Sequence, residues 1–409
     1  MSKATNDLIC LSHLRWGFVY QRPNHLMSRF ARDRRVFFVE EPVVDVDEGP
    51  ARMEVREAAA RLWVAVPHLP EGLSPEETED AQRALLDAMI RERGVRDPVL
   101  WFYTPMALGF ARHLNAAAVV YDCMDQLAAF RGAPPELEQR ERDLLARADV
   151  VFTGGQSLYE SKRTQHPRVH AFPSSVDATH FARARHETQQ PEDQARIPHP
   201  RLGYFGVIDE RIDFDLLERI ADAKPEWQLV MVGPIVKVDP ESLPQRPNLH
   251  WLGQKGYAEL PSYVGGWDVA LMPFALNEST RYISPTKTLE YLAAGKPVVS
   301  TAIRDVARPY GERGLVRIAN PSSFVDTITA TLAEDAVAAN SRRTLADAYV
   351  AGTSWDDTHA RMAEIVSRAI TAGLHRSGTT ATEGRSAAGR VIESAHEDHG
   401  EGTTTCSTI

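Results

Sequence analysis

Short apolar runs alternate with longer helical patterns from one end of the chain to the other. In the first half, apolar runs with the length of buried strands lie at residues 8–11, 36–39, 62–66, 99–103, 118–121, 150–153 and 169–172. Between them, longer stretches with apolar positions at helical spacing include 23–32, 76–93 and 136–148. This alternation is typical of parallel strands joined by crossover helices, so it predicts an α/β fold.

A polar segment separates two such patterns. Residues 183–200 contain Pro191, Pro198 and Pro200 and keep no apolar period, which predicts a linker. Beyond it the apolar runs restart at 202–205, 228–232, 249–252, 269–272, 298–301 and 315–318. We therefore predict two Rossmann-like domains, 1–182 and 201–352, with parallel sheets facing a cleft. Ligands of such sheets collect at the carboxyl ends of the strands.

The C-terminal part of the chain departs from this pattern. Residues 353–373 have helical spacing but no strand after them, so we expect a helix that crosses back to the first domain. Residues 374–409 are rich in Ser, Thr, Gly, Glu and His and have almost no large apolar side chains. Such a composition cannot bury enough apolar surface to fold, which predicts a disordered tail.

The run RYISPTKTLEYLAAGKPVVS, residues 281–300, carries the strongest chemical signal. Ser284 is a good N-cap, and Pro285 stands where a helix tolerates proline. The start of this predicted helix offers free N–H groups and the positive end of the helix dipole, and Thr286 and Lys287 add a hydroxyl and a charge. Glu290 is three residues beyond Lys287, which places it about 4.5 Å further along the helix axis. We interpret this as a diphosphate site with a carboxylate for ribose hydroxyls, and a capped surface helix with an ordinary Lys–Glu pair is the alternative.

Residues 286–299, TKTLEYLAAGKPVV, resemble the donor-binding helix of retaining GT-B glycosyltransferases, the group 1 or family 4-like enzymes. Members of that family carry a Glu-x7-Glu pattern followed by a Gly-x-Pro-Val turn. The segment FPSSVD at 172–177 stands where they have Pro-Asn-Gly-Val-Asp, and residues 204–211 and 230–234 fit the same layout. The resemblance implies a GT-B fold in which the second domain binds a nucleoside diphosphate sugar and the first domain binds the acceptor. It also implies that the sugar is transferred with retention of configuration.

The sequence departs from the family pattern at one position of the donor segment. Tyr282 stands eight residues before Glu290, where the family has its first glutamate, and Glu278 lies four residues earlier still. The resemblance implies that this first carboxylate lies near the transferred sugar. Ribose binding by Glu290 therefore stays the expectation, while the contacts to the donor sugar are left open.

A second donor contact is expected after the first strand of the second domain. Gly206 and Arg211 lie in the loop where the family often places a glycine and then a basic residue that reaches the diphosphate. Arg211 offers bidentate contacts to phosphate oxygens, and with Lys287 it would stabilise charge on the leaving nucleotide. Pairing of Arg211 with Asp209 or Asp213 on the surface is an alternative of equal weight.

The loop after the first strand of the first domain concentrates rings and hydrogen-bonding groups. His13, Arg15, Trp16 and Gln21 are candidates for acceptor contacts, because loops at strand ends carry function and this mixture of groups suits a sugar. The alternative is that the aromatic residues of the loop merely staple the following helix.

Asp122 and Asp125 end another strand of the first domain. Related enzymes often have a His-Asp pair there, and Met124 takes the histidine position in this chain. Either aspartate is a candidate catalytic residue that orients sugar hydroxyls or helps to deprotonate the acceptor. The competing interpretation is that either of them caps the next helix.

Composition narrows the list of partners. A net charge of -10 argues against nucleic acid binding, which needs a basic face. The three cysteines form no CxxC pair, and residues 1–7 lack the apolar run of a secretion signal, so we expect a cytoplasmic protein. The basic cluster at 29–35 is compatible with peripheral contact to anionic lipid, although a solvated helix end is the default interpretation.

No set of residues has convincing metal-ligand spacing, since Pro167 disfavours a helix that would place His166 and His170 on one face. Lys287, Arg211 and the helix start can meet the diphosphate charge, so we expect no cofactor and a metal-independent reaction. The expected function is transfer of a sugar, most simply from a UDP-sugar, to a saccharide or lipid-linked acceptor in cell-surface or exported polysaccharide assembly. A nucleotide-sugar epimerase of the same fold and a noncatalytic sugar-nucleotide-binding protein remain alternatives.

Overall fold

The computed structural model of the protein describes residues 6–45, 49–186 and 189–392. The strands of the first domain are β1 Leu8–Leu11, β2 Val36–Val39, β3 Val43–Asp45, β4 Arg52–Ala59, β5 Leu62–Pro70, β6 Val99–Phe102, β7 Ala118–Cys123, β8 Val150–Thr153 and β9 Val169–Ala171. Its helices are α1 Arg22–Phe30, α2 Pro75–Glu92, α3 Leu108–Ala111, α4 Leu137–Arg147 and α5 Gln156–Lys162.

The remaining elements follow in chain order. Two short helices, α6 Ala178–Ala182 and α7 Glu192–Ala195, connect the domains. The second domain has strands β10 Arg201–Phe205, β11 Gln228–Val232, β12 Leu249–Trp251, β13 Val269–Met272, β14 Val298–Ser300 and β15 Arg317–Ile318. The later helices are α8 Phe214–Ala223, α9 Leu260–Gly265, α10 Lys287–Ala293, α11 Arg304–Val306, α12 Phe324–Leu332, α13 Ala336–Ala351 and α14 Trp355–Ile392.

Two predominantly parallel sheets carry the fold. The first has the order β3-β5-β2-β1-β6-β7-β8-β9, with β4 paired antiparallel to β5. The second has the order β12-β11-β10-β13-β14-β15, and its strand pairs are all parallel. Every apolar run proposed as a strand lies in one of these sheets, because buried parallel strands leave continuous apolar runs in a sequence. The predicted α/β fold with two parallel sheets is confirmed.

Two strands of the first domain were not predicted from the apolar runs. β3 has three residues, and β4 has the sequence RMEVREAA, in which charged and apolar positions alternate. The side chains of β4 are alternately exposed and half-buried, as expected of an antiparallel strand with one solvated face. A search for continuous apolar runs overlooks such a strand.

Helix α14 crosses back to the first domain, as predicted. Trp355, Met362, Val366 and Ala369 are buried in the same apolar core as β1, β6 and β7. The helix continues through Ile392, so its last part overlaps the segment predicted to be a disordered tail. Residues 393–409 of the predicted tail lie outside the described residues.

The segment between the two sheets packs on the second domain. Val176, Phe181, Ala184 and Ile197 are all buried in the core that surrounds β10 to β14. The predicted linker, 183–200, therefore contributes apolar contacts although its sequence has no apolar period. The boundaries drawn at residues 182 and 201 remain predictions.

Candidate functional site

A cavity of about 700 Å³ lies between the two domains. Its walls come from the loops that follow β1, β7 and β9 in the first domain and β10, β11 and β12 in the second, together with the start of α10. These loops lie at the carboxyl ends of parallel strands, where ligands of such sheets bind. The predicted cleft is therefore present, and its two walls carry different chemistry.

Lys287 lies at the start of α10 on the second-domain wall. Its Nζ atom lies 5.4 Å from the ring centre of Tyr204 and 5.6 Å from that of Phe274. Within the described ranges the ammonium group forms no ion pair, and burial together with the charge of Arg211 lowers its pKa. The amine is thus held over two aromatic faces as an unpaired cation at the cavity wall.

Gly206 leaves the space that Lys287 occupies. Its φ angle is +136°, and a Cβ atom built on it would lie 2.8 Å from Cε and 3.0 Å from Nζ of Lys287. Gly233 is similarly confined, because its Cβ would meet the Gly206 carbonyl oxygen. A side chain at Gly206 would displace the lysine, so the glycine of this loop has a steric reason as well as a conformational one.

Glu290 lies one helical turn after Lys287 and is only 7% exposed. Burial raises the pKa of its carboxyl group, and the charge of Lys287 opposes that rise. No protein group in the described ranges donates a hydrogen bond to this carboxylate, which lines the cavity. A buried acceptor without a protein partner is suited to the hydroxyl groups of a ligand.

The start of α10 differs in detail from the sequence prediction. The helix begins at Lys287 with Thr286 before it, and no side chain caps it, so Ser284 is not the N-cap. The Pro285 carbonyl oxygen instead accepts from the Thr288 N–H at 3.3 Å, which tightens the first turn. Ser284 and Thr286 both line the cavity, and their role in donor binding stays a prediction.

Arg211 combines both interpretations that the sequence left open. It forms a two-pronged ion pair with Asp209, whose oxygens accept from Nε at 3.0 and 3.1 Å and from Nη2 at 2.7 Å. The pair lies in the cleft rather than on the surface, because Arg211 lines the cavity and Asp209 is buried. The guanidinium carbon also lies 5.4 Å from the ring centre of Phe130 in the first domain. Asp213 instead caps α8.

Asp122 and Asp125 lie in different environments. Asp122 is fully buried in β7, and its carboxylate accepts from Nε of Arg22 at 3.1 Å and from Nη2 at 2.9 Å. Asp125 lines the cavity, together with Met124. The prediction of Asp122 as a catalytic residue is therefore corrected: it holds Arg22, whose Nη1 donates to the Phe172 carbonyl oxygen at 2.7 Å.

The loop after β1 contributes two of its four predicted acceptor residues to the cavity. Trp16 and Gln21 line it, whereas His13 and Arg15 do not. Arg15 instead bonds Glu40 at 3.1 Å, and Glu40 also accepts from the Trp16 N–H at 2.8 Å.

His13 is half-buried and does not line the cavity, and its neighbours include the Tyr103 backbone of the first domain and Lys237 of the second. Burial lowers its pKa to about 4, so its ring is neutral at ordinary pH.

Aromatic contacts join the two walls. Tyr20 of the first domain stacks on Tyr257 of the second with 4.5 Å between ring centres, and His180 stacks on Tyr257 at 4.3 Å. The Gln254 side chain donates to the Phe18 carbonyl oxygen across the same junction. Sequence reasoning missed Tyr257 and His180, because no local pattern relates residues 77 positions apart that meet only in the folded chain.

A polar contact joins the domains at another point. The Ser157 N–H at the start of α5 donates to both carboxylate oxygens of Asp305, at 3.1 and 3.2 Å. Both groups are buried, so the bond is shielded from water. This contact and the stack of Tyr20 on Tyr257 fix the width of the cleft at two separate points.

The segment before α10 does not supply a carboxylate to the cavity. Tyr282 packs against the apolar core of the first domain, and its ring lies 5.3 Å from the Arg281 guanidinium carbon. Glu278 pairs with Arg281 at 3.5 Å and is 76% exposed. Tyr282 replaces the first glutamate of the family pattern, and the neighbouring Glu278 does not take its place in the cavity.

The basic cluster at 29–35 is paired within the protein. Arg29 and Arg32 both bond Asp356 of α14, Arg34 bonds Asp33, and Arg35 bonds Asp7. The sequence predicts a solvated helix end, but the side chains of Arg29 and Arg34 are only 13% and 9% exposed.

The part of the chain that the structure describes holds no group of three His, Cys, Asp or Glu side chains placed to bind a metal ion. Within the same ranges, no helix combines the length and the apolar character that crossing a membrane requires.

Comparisons with known proteins find similar sequences and similar folds. Residues 199–334 match the family model described as "Glycosyl transferases group 1". The chain is 28% identical over 225 residues to the "Putative teichuronic acid biosynthesis glycosyltransferase TuaH" of Bacillus subtilis (strain 168). That alignment covers 51% of this chain and 56% of the relative, so the chain matches little more than half the length of that protein.

Solved structures match over almost the whole fold. Sucrose-phosphate synthase from Thermosynechococcus elongatus has a TM-score of 0.67 at 15% identity, covering 90% of this chain and 100% of that one. Trehalose 6-phosphate synthase from Burkholderia multivorans has a TM-score of 0.63 at 14% identity, covering 90% and 100%. At such low identity the likeness establishes the fold alone. The chain thus has the two-domain GT-B fold, and its second domain is similar to the glycosyl transferases of group 1.

Proposed function

We propose that the protein is a glycosyltransferase that moves a sugar from a nucleoside diphosphate sugar to a saccharide or lipid-linked acceptor. One observation carries the proposal: Lys287 and Glu290 stand one turn apart at the cavity wall, and neither is paired with another group that the structure describes. A cation and a carboxylate at this spacing match a diphosphate joined to a ribose.

The second-domain wall would hold the nucleotide. The diphosphate would lie against Lys287 and the N–H groups that open α10, with Gly206 and the hydroxyls of Ser284 and Thr286 around it. Glu290 would accept the ribose hydroxyls. Arg211 would add a second cation, which the bond to Asp209 already holds in a fixed orientation.

The reaction would exchange one bond at the anomeric carbon for another. The bond from this carbon to the diphosphate oxygen breaks, and a bond to the acceptor oxygen forms. The acceptor proton passes to the departing diphosphate, so atoms and charge balance. Lys287 and Arg211 would stabilise the negative charge that develops on the leaving group, which is electrostatic catalysis by preorganised cations. These two cations meet that charge without a metal ion, so we propose a metal-independent reaction. We also propose retention of configuration, as the resemblance to the retaining enzymes implies.

The first-domain wall would hold the acceptor. Trp16 and Gln21 line it and offer a ring face and an amide to a sugar. The similarity to a protein named for teichuronic acid biosynthesis supports a role in cell-surface polysaccharide assembly. We propose a UDP-sugar as the donor. We propose the cytoplasm as the location, because nucleotide sugars are made inside cells.

Turnover of nucleotide sugars tests this function. The purified protein is incubated with UDP-, GDP- and ADP-sugars, and released nucleoside diphosphate and free sugar are measured, with water as the acceptor. We expect slow release from one donor, lost in Lys287→Met and Glu290→Gln and kept in the exposed control Glu278→Gln. Conversion of the donor into its epimer would instead identify an epimerase. Tight binding of a nucleotide sugar without any turnover, even after saccharides and lipid-linked sugars are added, would contradict the proposed enzyme.

A further inference from the structure

Asp305 of the second domain caps a helix of the first domain. Helix α5 begins after Gly155, which has no side chain to accept from the free N–H groups of the first turn. The Asp305 carboxylate takes that role, because both of its oxygens accept from the N–H of Ser157, the second residue of the helix. The two groups lie 148 positions apart in the chain, so this cap forms only when the two domains are in contact.

The cap is buried, which makes it costly to lose. Asp305 and Ser157 are both buried, and burial raises the pKa of Asp305 while the bond from Ser157 opposes that rise. A neighbouring ion pair between Arg304 and Glu160 joins the same two helices, but its side chains are 39% and 33% exposed. Exposed ion pairs contribute little, whereas a buried donor left without its acceptor is destabilising. Asp305 is therefore the stronger of the two contacts at this junction.

Gly155 brings this cap against the segment that leads into α10. A Cβ atom built on Gly155 would overlap the Asp305 carboxylate and would lie 2.8 Å from Cβ of Ser284. Ser284 lines the cavity and stands shortly before Lys287 in the chain. The backbone at Gly155 therefore lies against both the capping carboxylate and the cavity wall, and no side chain fits there.

We propose that Asp305 is a positioning residue for the nucleotide: by capping α5 it holds Gly155 against Ser284 and so fixes the segment that leads into α10. This rests on the proposed function, in which Ser284, Thr286 and Lys287 surround the diphosphate. Asp305 itself does not line the cavity, so it acts through this contact rather than on the ligand. Because the coupling is reciprocal, a bound nucleotide strengthens the cap by the same factor by which the cap strengthens binding.

Calorimetry on matched variants tests this role. UDP, GDP and ADP are titrated into the wild-type protein, Asp305→Ala, Asp305→Asn and Glu160→Gln, each below its unfolding temperature. For the nucleotide that binds, we expect Asp305→Ala to weaken binding about tenfold, because the start of α10 loses its support. Asp305→Asn keeps an acceptor oxygen for Ser157 and should recover the affinity to within about threefold of wild type. Glu160→Gln removes only the exposed ion pair and should change the affinity by less than about twofold.

Gly155→Ala perturbs the same contact without removing the carboxylate. Its new methyl group would push Asp305 and Ser284 away from residue 155, so nucleotide affinity should again fall about tenfold. This variant also keeps the inference testable if Asp305→Ala does not fold.

Three contrary results are distinguishable. If Asp305→Ala and Gly155→Ala lower the melting temperature but bind the nucleotide as tightly as the wild type, the contact is only structural and the inference is overturned. If the affinity is unchanged and only the release of nucleoside diphosphate from the donor falls, Asp305 sets the placement of the domains rather than the donor segment, and the inference is again wrong. Failure of every nucleotide to bind the wild type would remove the proposed function itself.

Discussion

Arg22 and Asp122 form a buried ion pair at the end of β7, with side chains 1% and 0% exposed. The pair joins the start of α1 to β7, and through the Phe172 carbonyl oxygen to the segment after β9. Asp125, only three residues away, faces the cleft without a partner among the described residues. The two aspartates therefore differ in environment: Asp122 is held in a buried ion pair, and Asp125 lines the cavity.

Asp122→Asn is expected to destabilise the fold by about 3–5 kcal/mol, because it leaves the Arg22 charge buried and uncompensated. Urea unfolding followed by circular dichroism measures this loss. Asp125→Asn serves as the matched control, since its carboxylate has no partner in the described ranges, and its stability should stay within about 1 kcal/mol of wild type. Equal unfolding midpoints for wild type and Asp122→Asn would show that the buried pair contributes nothing.

Gly206→Ala should impair nucleotide binding through Lys287. The new Cβ would meet the lysine side chain, and a positive φ strains alanine by about 1–3 kcal/mol. Gly132→Ala is the control, because Gly132 also has a positive φ of 74°, but a Cβ atom added there would have no described heavy atom within 4 Å. Both variants should lose stability in thermal unfolding, whereas nucleotide affinity should fall only in Gly206→Ala. Unchanged affinity in Gly206→Ala would contradict the steric role.

Nucleotide-sugar affinity should pass through a maximum as pH changes, with a loss of affinity on the acid side and another on the alkaline side. Burial raises the pKa of Glu290, so as pH falls its carboxylate is protonated above the ordinary range of about 4.3 and loses acceptor strength. Burial lowers the pKa of Lys287, so as pH rises its charge is lost below the ordinary value of about 10.4. Calorimetry with an intact nucleotide sugar avoids titration of a terminal phosphate, whose pKa is about 6.

Two variants identify which residue causes the loss of affinity on each side of the maximum. Glu290→Gln should bind more weakly but without the loss on the acid side, and Lys287→Met should remove the loss on the alkaline side. An affinity that stays flat from about pH 5 to pH 10 would show that neither group changes charge in the binding range.

The sequence predicted the architecture well because buried parallel strands and amphipathic helices leave periodic traces. The start of α10 was recognisable for a similar reason, since Lys287, Glu290 and the turn at Gly295 are close in sequence. The antiparallel strand β4 was not predicted, because its charged and apolar residues alternate and form no continuous apolar run.

The first-domain site was harder to predict for a physical reason. Asp122 and Asp125 follow the same strand, and their roles are decided by Arg22, which lies 100 residues from Asp122 in the chain. Arg15 was similarly drawn away from the cavity by Glu40. Such partners meet only after folding, so a pattern of residue types along the chain cannot distinguish a buried ion pair from a free carboxylate.

Titration of free nucleotides tests the central claim most directly. UDP, GDP and ADP are titrated without metal into the wild-type protein, Lys287→Met, Glu290→Gln and the exposed control Glu278→Gln. The structure predicts that one nucleotide binds and that each of the first two substitutions weakens it about tenfold or more, on the order of 1.4 kcal/mol, while the control does not. Absence of binding, or binding that ignores both substitutions, would contradict a nucleotide site at the start of α10.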